Sequence, residues 1–304
     1  MATQGRTALD LWQAREQEVV TLSSGCSSID ELLQGGFRSG ILTEVCGEAS
    51  AGKTQLCLQL LLQSCLPPVL GGLGGSACYI CTEGIGSIKR LHELGHAYNQ
   101  KYGSMLRKRR RTDVEQSSYN SMPSLLDSVF IEQVYEVDEL VDVLQSRLPT
   151  LLADHDTKLV VIDSVAAVFR LESTGSVKDA SERSRLMFHL ANCMRILSAQ
   201  FRVIFVMTNQ VTGNFTEGAA SIVSTHSNQH KPALGLSWSS CINQRLMLRR
   251  SRHTERRVEV VFSPYLPPAT ARFLITADGI TSPDDAHDDT RNGTRRSLIG
   301  PNAT

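Results

Sequence analysis

The sequence predicts an α/β fold with a central, mostly parallel sheet and an antiparallel C-terminal edge. Three observations carry that prediction. Runs rich in Val, Ile, Leu and Phe recur at 41–46, 77–82, 128–132, 158–163 and 202–208, the pattern of parallel strands buried on both faces. Between them, 53–65, 87–101, 137–153 and 181–200 place apolar residues at helical spacing, so strand and helix alternate as in βαβ units. After residue 240 the alternation stops, and 245–249, 257–262 and 272–276 read as strands joined by short turns.

Taken in order, residues 1–20 are expected to be a linker, 21–283 the core and 284–304 an unfolded, polar tail. No cationic segment followed by an apolar one opens the chain, so no secretory leader is read there. The longest apolar stretch, 56–73, is broken by Gln59, Gln63, Ser64, Pro67 and Pro68, which argues against a membrane span. Cys78 and Cys81 form C-x-x-C, but three residues apart on a strand their side chains face opposite ways and no second pair lies at zinc spacing. With the other six cysteines they are expected to be reduced core thiols. Two stretches interrupt the βα order: 103–124, a mobile insertion holding the basic run 107–111, and 211–233, long, polar and without periodicity.

The charge balance narrows the function classes. Lys and Arg number 31 and Asp and Glu 31 over 304 residues. That argues against a basic nucleic-acid wrapper, a supercharged tail and an acidic chaperone, but leaves DNA binding through a local basic surface open.

The strand at 41–46 runs into Gly47-Glu48-Ala49-Ser50-Ala51-Gly52-Lys53-Thr54, a full G-x-x-x-x-G-K-[ST] set between a predicted strand and a predicted helix. Glycines let the backbone wrap phosphates with its N–H groups turned inward, and the helix adds its positive end. Lys53 is expected to reach the β- and γ-phosphates of ATP and Thr54 to ligate Mg²⁺. The strand 159–162 ends in Asp163, which would hold the same Mg²⁺ through water beside the P-loop. Glu83 closes the strand 77–82. Its position suits activation of the attacking water, or equally an acid favoured by a helix N-terminus. Gln210, beyond 207–209, reads either as a γ-phosphate sensor or as an ordinary loop amide.

Other motifs are weaker. His92-Glu93-Leu94-Gly95-His96 is a literal H-E-x-x-H, but Gly95 weakens the helix and no further ligand follows, so zinc is not expected. His226 and His230 belong to the long polar segment. Arg249, Arg250, Arg252, Arg256 and Arg257 flank a turn and form a candidate phosphate-contacting ridge.

The order of the P-loop, Tyr79–Gly84, Leu159–Ala167 and Thr208-Asn209-Gln210-Val211, entered through 21–25 and 32–36, resembles RecA-type recombinases of the eukaryotic kind over roughly residues 7–282. Lys89-Arg90-Leu91-His92 and 261–268 make it most similar to a recombinase paralogue. The resemblance implies a RecA-like P-loop ATPase core using ATP and Mg²⁺ in homologous recombination and double-strand-break repair. It implies single- and double-stranded DNA, another paralogue and the main recombinase as partners, a nuclear location shared with the cytoplasm, and no membrane. Glu83 becomes the water-activating carboxylate, Gln210 the γ-phosphate sensor and Arg90 a residue packed on adenine. DNA would meet a first loop after Arg170 with Lys178 and a second at 211–234 with Lys231, beside Arg249 and Arg250.

The chain departs from the family pattern in three places. The polymerisation element corresponds to Gly5-Arg6-Thr7-Ala8, without its aromatic, and little precedes it where full-length recombinases carry a helical domain. Phe262 stands where an ATP-capping acid is expected, and Glu172 and Asp179 dilute the first loop's positive charge. An accessory role is therefore expected over strong strand exchange. The alternative is a non-catalytic ATP-binding scaffold subunit.

Overall fold

The computed structural model describes residues 5–109, 125–170, 177–212, 231–251 and 255–285. The expected linker contains a helix, α1 (Ala8–Glu18), because Thr7 and Asp10 form a reciprocal capping box that satisfies the first free N–H groups. A small hairpin of β1 (Thr21–Leu22) and β2 (Phe37–Arg38) encloses α2 (Ser27–Leu32). The βα core follows: β3 (Leu42–Gly47), α3 (Lys53–Cys65), β4 (Ser76–Cys81), α4 (Ile88–Arg109), β5 (Val129–Gln133), α5 (Val137–Asp142), α6 (Leu148–Asp154), β6 (Thr157–Asp163), α7 (Val177–Phe201) and β7 (Ile204–Thr212). Then come β8 (Lys231–Pro232), α8 (Gly235–Ser239), β9 (Gln244–Arg250), β10 (Glu255–Phe262), β11 (Thr270–Thr276) and β12 (Gly279–Thr281).

Main-sheet strands run in the order β12-β11-β10-β9-β3-β7-β6-β4-β5, with β8 paired to β7. From β9 through β5 the pairing is parallel, and from β9 outward to β12 it is antiparallel. All six residues of β3 and all six of β4 are buried, as strands covered on both faces are.

Three expectations need correction. The predicted helix 137–153 is α5 and α6 joined by a π-turn at Val143–Arg147. Pro149, in the first turn of α6, lacks the N–H that regular helical bonding would use. The expected insertion at 103–124 is helical as far as Arg109, the end of α4, and 110–124 lies outside the described residues. The antiparallel edge also gains β12, whose three residues are too few to show a period. The tail beyond 285 lies outside the described residues, while Asp285 accepts a hydrogen bond from Ser27 Oγ at 2.8 Å.

Two apolar clusters cover the sheet's faces. One holds Leu56, Leu60, Tyr79, Val161 and Phe273 with the α3–α4 side, the other Phe169, Leu190, Phe205 and Trp238 with α5–α7. Cys81 lies in the first and Cys78 in the second, as the strand period requires, and all eight cysteines are free thiols. Burial pushes Cys65 and Cys78 up to about 12, so they stay protonated. The buried Gln59 of α3 donates to Ser24 O and Ile280 O and accepts from Ile280 N, tying both ends of the core to the P-loop helix.

One charge is fully buried in this framework. Glu44 of β3 accepts hydrogen bonds from Asn209 Nδ2 (2.7 Å), Trp238 Nε1 (2.8 Å) and Arg245 Nε. Arg245 also donates to Ser239 Oγ and lies over the Phe262 ring. A buried ion pair survives only when its remaining hydrogen-bond sites are filled, and this set joins β3 to β7, α8, β9 and β10. No described helix is long and apolar enough to cross a membrane.

Candidate active site

The order β3-β7-β6-β4 sends four parallel strands to one sheet edge, where ligands of α/β proteins bind. Gly47 ends β3 opposite Gln210 of β7, and Cys81 of β4 lies opposite Asp163 of β6. Glu83 follows β4 by two residues. Thr82 Oγ1 donates to Ser164 O at 2.7 Å and accepts from Ser164 N at 2.8 Å, pinning the tips of β4 and β6 together.

The loop between β3 and α3 needs its glycines. A Cβ at Gly47 would stand 2.5 Å from the Leu248 carbonyl oxygen. Gly52 has φ +108, and a Cβ there would stand 2.9 Å from Ile275 Cδ1. Gly52 caps α3 without a side-chain bond, so no side chain competes for the free N–H groups of the first turn. Lys53 Nζ donates to the carbonyls of Gly47 (2.8 Å) and Glu48 (2.9 Å). Burial lowers its pKa, while the Asp163 and Glu83 carboxylates oppose that shift. Its ammonium thus rests on neutral oxygens that a phosphate can replace.

Asp163 is gripped by hydroxyls. Thr54 Oγ1 (2.8 Å) and Tyr79 OH (3.1 Å) donate to its Oδ2, and Thr208 Oγ1 (2.5 Å) to its Oδ1. Thr54 and Asp163 together offer the hard oxygen donors that Mg²⁺ prefers, so the predicted metal pair fits that ion. Glu83 Oε1 accepts from Arg170 Nη2 (2.8 Å), Gln210 Nε2 (2.9 Å) and Ser164 Oγ (3.3 Å). The Glu83–Arg170 pair is about half exposed on each side and is worth roughly 0–1 kcal/mol. The structure therefore brings together Lys53, Thr54, Asp163, Glu83 and Gln210.

Arg90 lies beside this group. Its guanidinium bonds Gln55 Oε1 (3.0 Å), Glu93 Oε2 (3.2 Å) and Thr276 O (2.8 Å). With Ser50, Lys53, Gln55, Ile275 and Ala277 it lines a cavity of about 490 Å³ that continues from the P-loop. The H-E-x-x-H residues sit on the same helix: the His92 and His96 rings meet edge-on at 4.5 Å, Glu93 pairs with Arg90, and Gly95 permits close approach of Leu126. Among the described residues no cluster of three or more His, Cys, Asp or Glu could hold a metal ion.

Of the predicted DNA-facing residues, Arg249, Arg250 and Arg257 line a hollow of about 370 Å³ at the end of β9. Arg249 pairs with Glu259 at 3.5 Å, and the Arg250 backbone N–H donates to Glu48 Oε1 at 3.1 Å. Glu48 thereby links the P-loop to the basic edge, a connection that its place in the motif did not suggest. A smaller hollow shared by Glu48, Arg249, Arg250 and Val211 joins the ridge to the start of the second predicted loop. The backbones of Lys178 and Lys231 lie in α7 and β8, but their side chains, and 171–176, 213–230 and 252–254, lie outside the described residues. His226 and His230 fall there too.

Sequence reasoning missed Tyr79, Thr208 and Glu44. Each is a polar residue inside an apolar strand run, and that interruption was the available signal.

A family model described as Rad51 matches residues 15–283. The chain is similar to a "DNA repair protein XRCC3 homolog" of Arabidopsis thaliana, 34% identical over 292 residues, covering 85% of this chain and 92% of that protein. It is also similar to "DNA repair protein XRCC3" of Bos taurus (37% over 266 residues; 85% and 74% covered). A third relative is "DNA repair protein RAD51 homolog 1" of Arabidopsis thaliana (31% over 288 residues; 92% and 75%). The mostly parallel sheet, the P-loop at the end of β3 and this match agree in fold as well as sequence, and the chain belongs to the Rad51 family.

Proposed function

We propose that this protein is a nuclear recombinase paralogue of homologous recombination and DNA double-strand-break repair, also present in the cytoplasm, that binds and slowly hydrolyses ATP with Mg²⁺ in response to DNA. The observation that carries the reading is the meeting of Lys53, Thr54, Asp163, Glu83 and Gln210 at one sheet edge. The relatives' names support repair as the setting.

When bound, Mg²⁺ would neutralise charge on the ATP phosphates. The loop 47–54 would wrap them with backbone N–H groups, and Lys53 would exchange its carbonyl partners for phosphate oxygens. Thr54 and Asp163 would hold the metal. Glu83, an acceptor-only carboxylate when ionised, can take a proton from water, and Gln210, already on its Oε1, can orient the same water. Arg90 would face the base. Arg170, Lys178, Lys231, Arg249 and Arg250 supply positive charge for DNA phosphates at the loops that follow. Partners of this kind would be another paralogue and the main recombinase.

One observation favours a scaffold reading instead. Phe262 packs on Arg245, so no acid at that position reaches toward a neighbour's nucleotide. Two variants separate the readings in paralogue-deficient cells. Hydrolysis as the function predicts that Lys53→Ala and Glu83→Gln both lose repair. Glu83→Gln with normal repair, beside Lys53→Ala with lost partner binding, would establish the scaffold instead.

A further inference from the structure

Asp163 must present its carboxylate in one orientation to serve a metal shared with Thr54, and the P-loop motif does not explain what fixes it. Tyr79 lies near the end of β4, four residues before Glu83, and is 2% exposed. Its ring is part of the apolar cluster beneath α3. Only the hydroxyl leaves that cluster, reaching Asp163 Oδ2 at 3.1 Å and Ser87 Oγ at 2.9 Å. The direction of this relay follows from donor counting. An ionised carboxylate only accepts and a tyrosine has one hydroxyl proton, so Tyr79 donates to Asp163 and Ser87 donates to Tyr79. A buried phenol placed this way has no other hydrogen-bond partner among the described side chains.

We propose that Tyr79 is a positioning residue for Asp163, holding Oδ2 so that the carboxylate and Thr54 present a preformed oxygen pair to Mg²⁺. The inference rests on reading this edge as a Mg²⁺–nucleotide site. Thr208 fixes the other oxygen from β7, so Asp163 is clamped from the strands on both sides of β6. Thr54 also donates to Oδ2, but its oxygen is the expected metal ligand, whereas Tyr79 is a donor that makes no metal contact. Partners that orient a metal ligand typically matter about 10–100-fold in metal affinity. The lower end suits Tyr79, since Thr208 remains when its hydroxyl is removed. Ser87 precedes α4, the helix that carries Arg90, so the same relay joins the metal ligand to the wall of the base cavity.

Tyr79→Phe keeps the ring and removes only the donor. The test is a Mg²⁺ titration of the full chain's binding to a fluorescent, non-hydrolysable ATP analogue, with binding also measured in EDTA. Tyr79→Phe should need about tenfold more Mg²⁺ for half-maximal binding, with unchanged binding in EDTA and a thermal midpoint close to wild type. Ser87→Ala, which leaves Tyr79 donating, should shift the Mg²⁺ requirement in the same direction by less. An unchanged requirement in Tyr79→Phe, or an equal loss with and without Mg²⁺, overturns the positioning role while leaving the nucleotide site standing. Wild-type binding that ignores Mg²⁺ overturns the reading of the site and the role of Tyr79 together.

Discussion

The nucleotide edge and the basic edge are separated by a single strand boundary, β3 against β9, yet they are built on opposite principles. At the nucleotide edge each group is held by several partners: three hydroxyls on Asp163, three donors on Glu83, two carbonyls on Lys53. At the basic edge, Arg249 has one long ion pair and Arg250 contributes its backbone to Glu48. The first arrangement has its geometry set before a ligand arrives, which is what catalysis demands. The second keeps charge near solvent, where it can follow a flexible polyanion and gains little from pairing.

The largest expected effect comes from breaking the joint between these regions. Glu44→Ala leaves Arg245 buried without its carboxylate and strips acceptors from Asn209 and Trp238. Removing one partner of a buried pair costs about 3–5 kcal/mol. Denaturant unfolding should show that loss, and a change below about 1 kcal/mol would mean that the network does not hold β3 to β7 and β9. Next, Lys53→Ala should weaken ATP binding about 10–100-fold, the scale of a charge-assisted hydrogen bond. Isothermal titration measures it, and equal affinity would move the phosphates away from this loop. The smallest effect belongs to the basic edge. Arg249→Ala with Arg250→Ala should lower the slope of log affinity for DNA against log salt by about 1 for each phosphate that the pair neutralises, with ATP binding unaltered. An unchanged slope would take the ridge out of the DNA path.

The same contrast governs what was legible in the sequence. The P-loop, Asp163 and the βα alternation could be read because a phosphate cradle and a buried parallel strand restrict which residues fit at each position. The helix 53–65 coincides with α3 for that reason. Glu83 and Gln210 could be placed only at strand tips. Their meeting depends on β7 lying between β3 and β6, which no local pattern encodes. Tyr79, Thr208 and Glu44 read as strand residues because the partners that give them meaning include Asp163, Trp238 and Arg245, far away in sequence. The helix α1 was missed because its apolar residues, Leu9, Leu11 and Trp12, are exposed and follow no face. Its start depends on the Thr7–Asp10 capping pair.

In the proposed function, four strand ends form a preorganised Mg²⁺–ATP site in which Glu83 activates water. Glu83→Gln keeps the shape and hydrogen-bonding length of the side chain but removes the base. Single-turnover hydrolysis of ATP, measured with DNA present and alongside equilibrium ATP binding, tests it. Binding should stay within about twofold of wild type while hydrolysis falls by roughly 10²–10⁴. Hydrolysis at the wild-type rate in Glu83→Gln would contradict the claim.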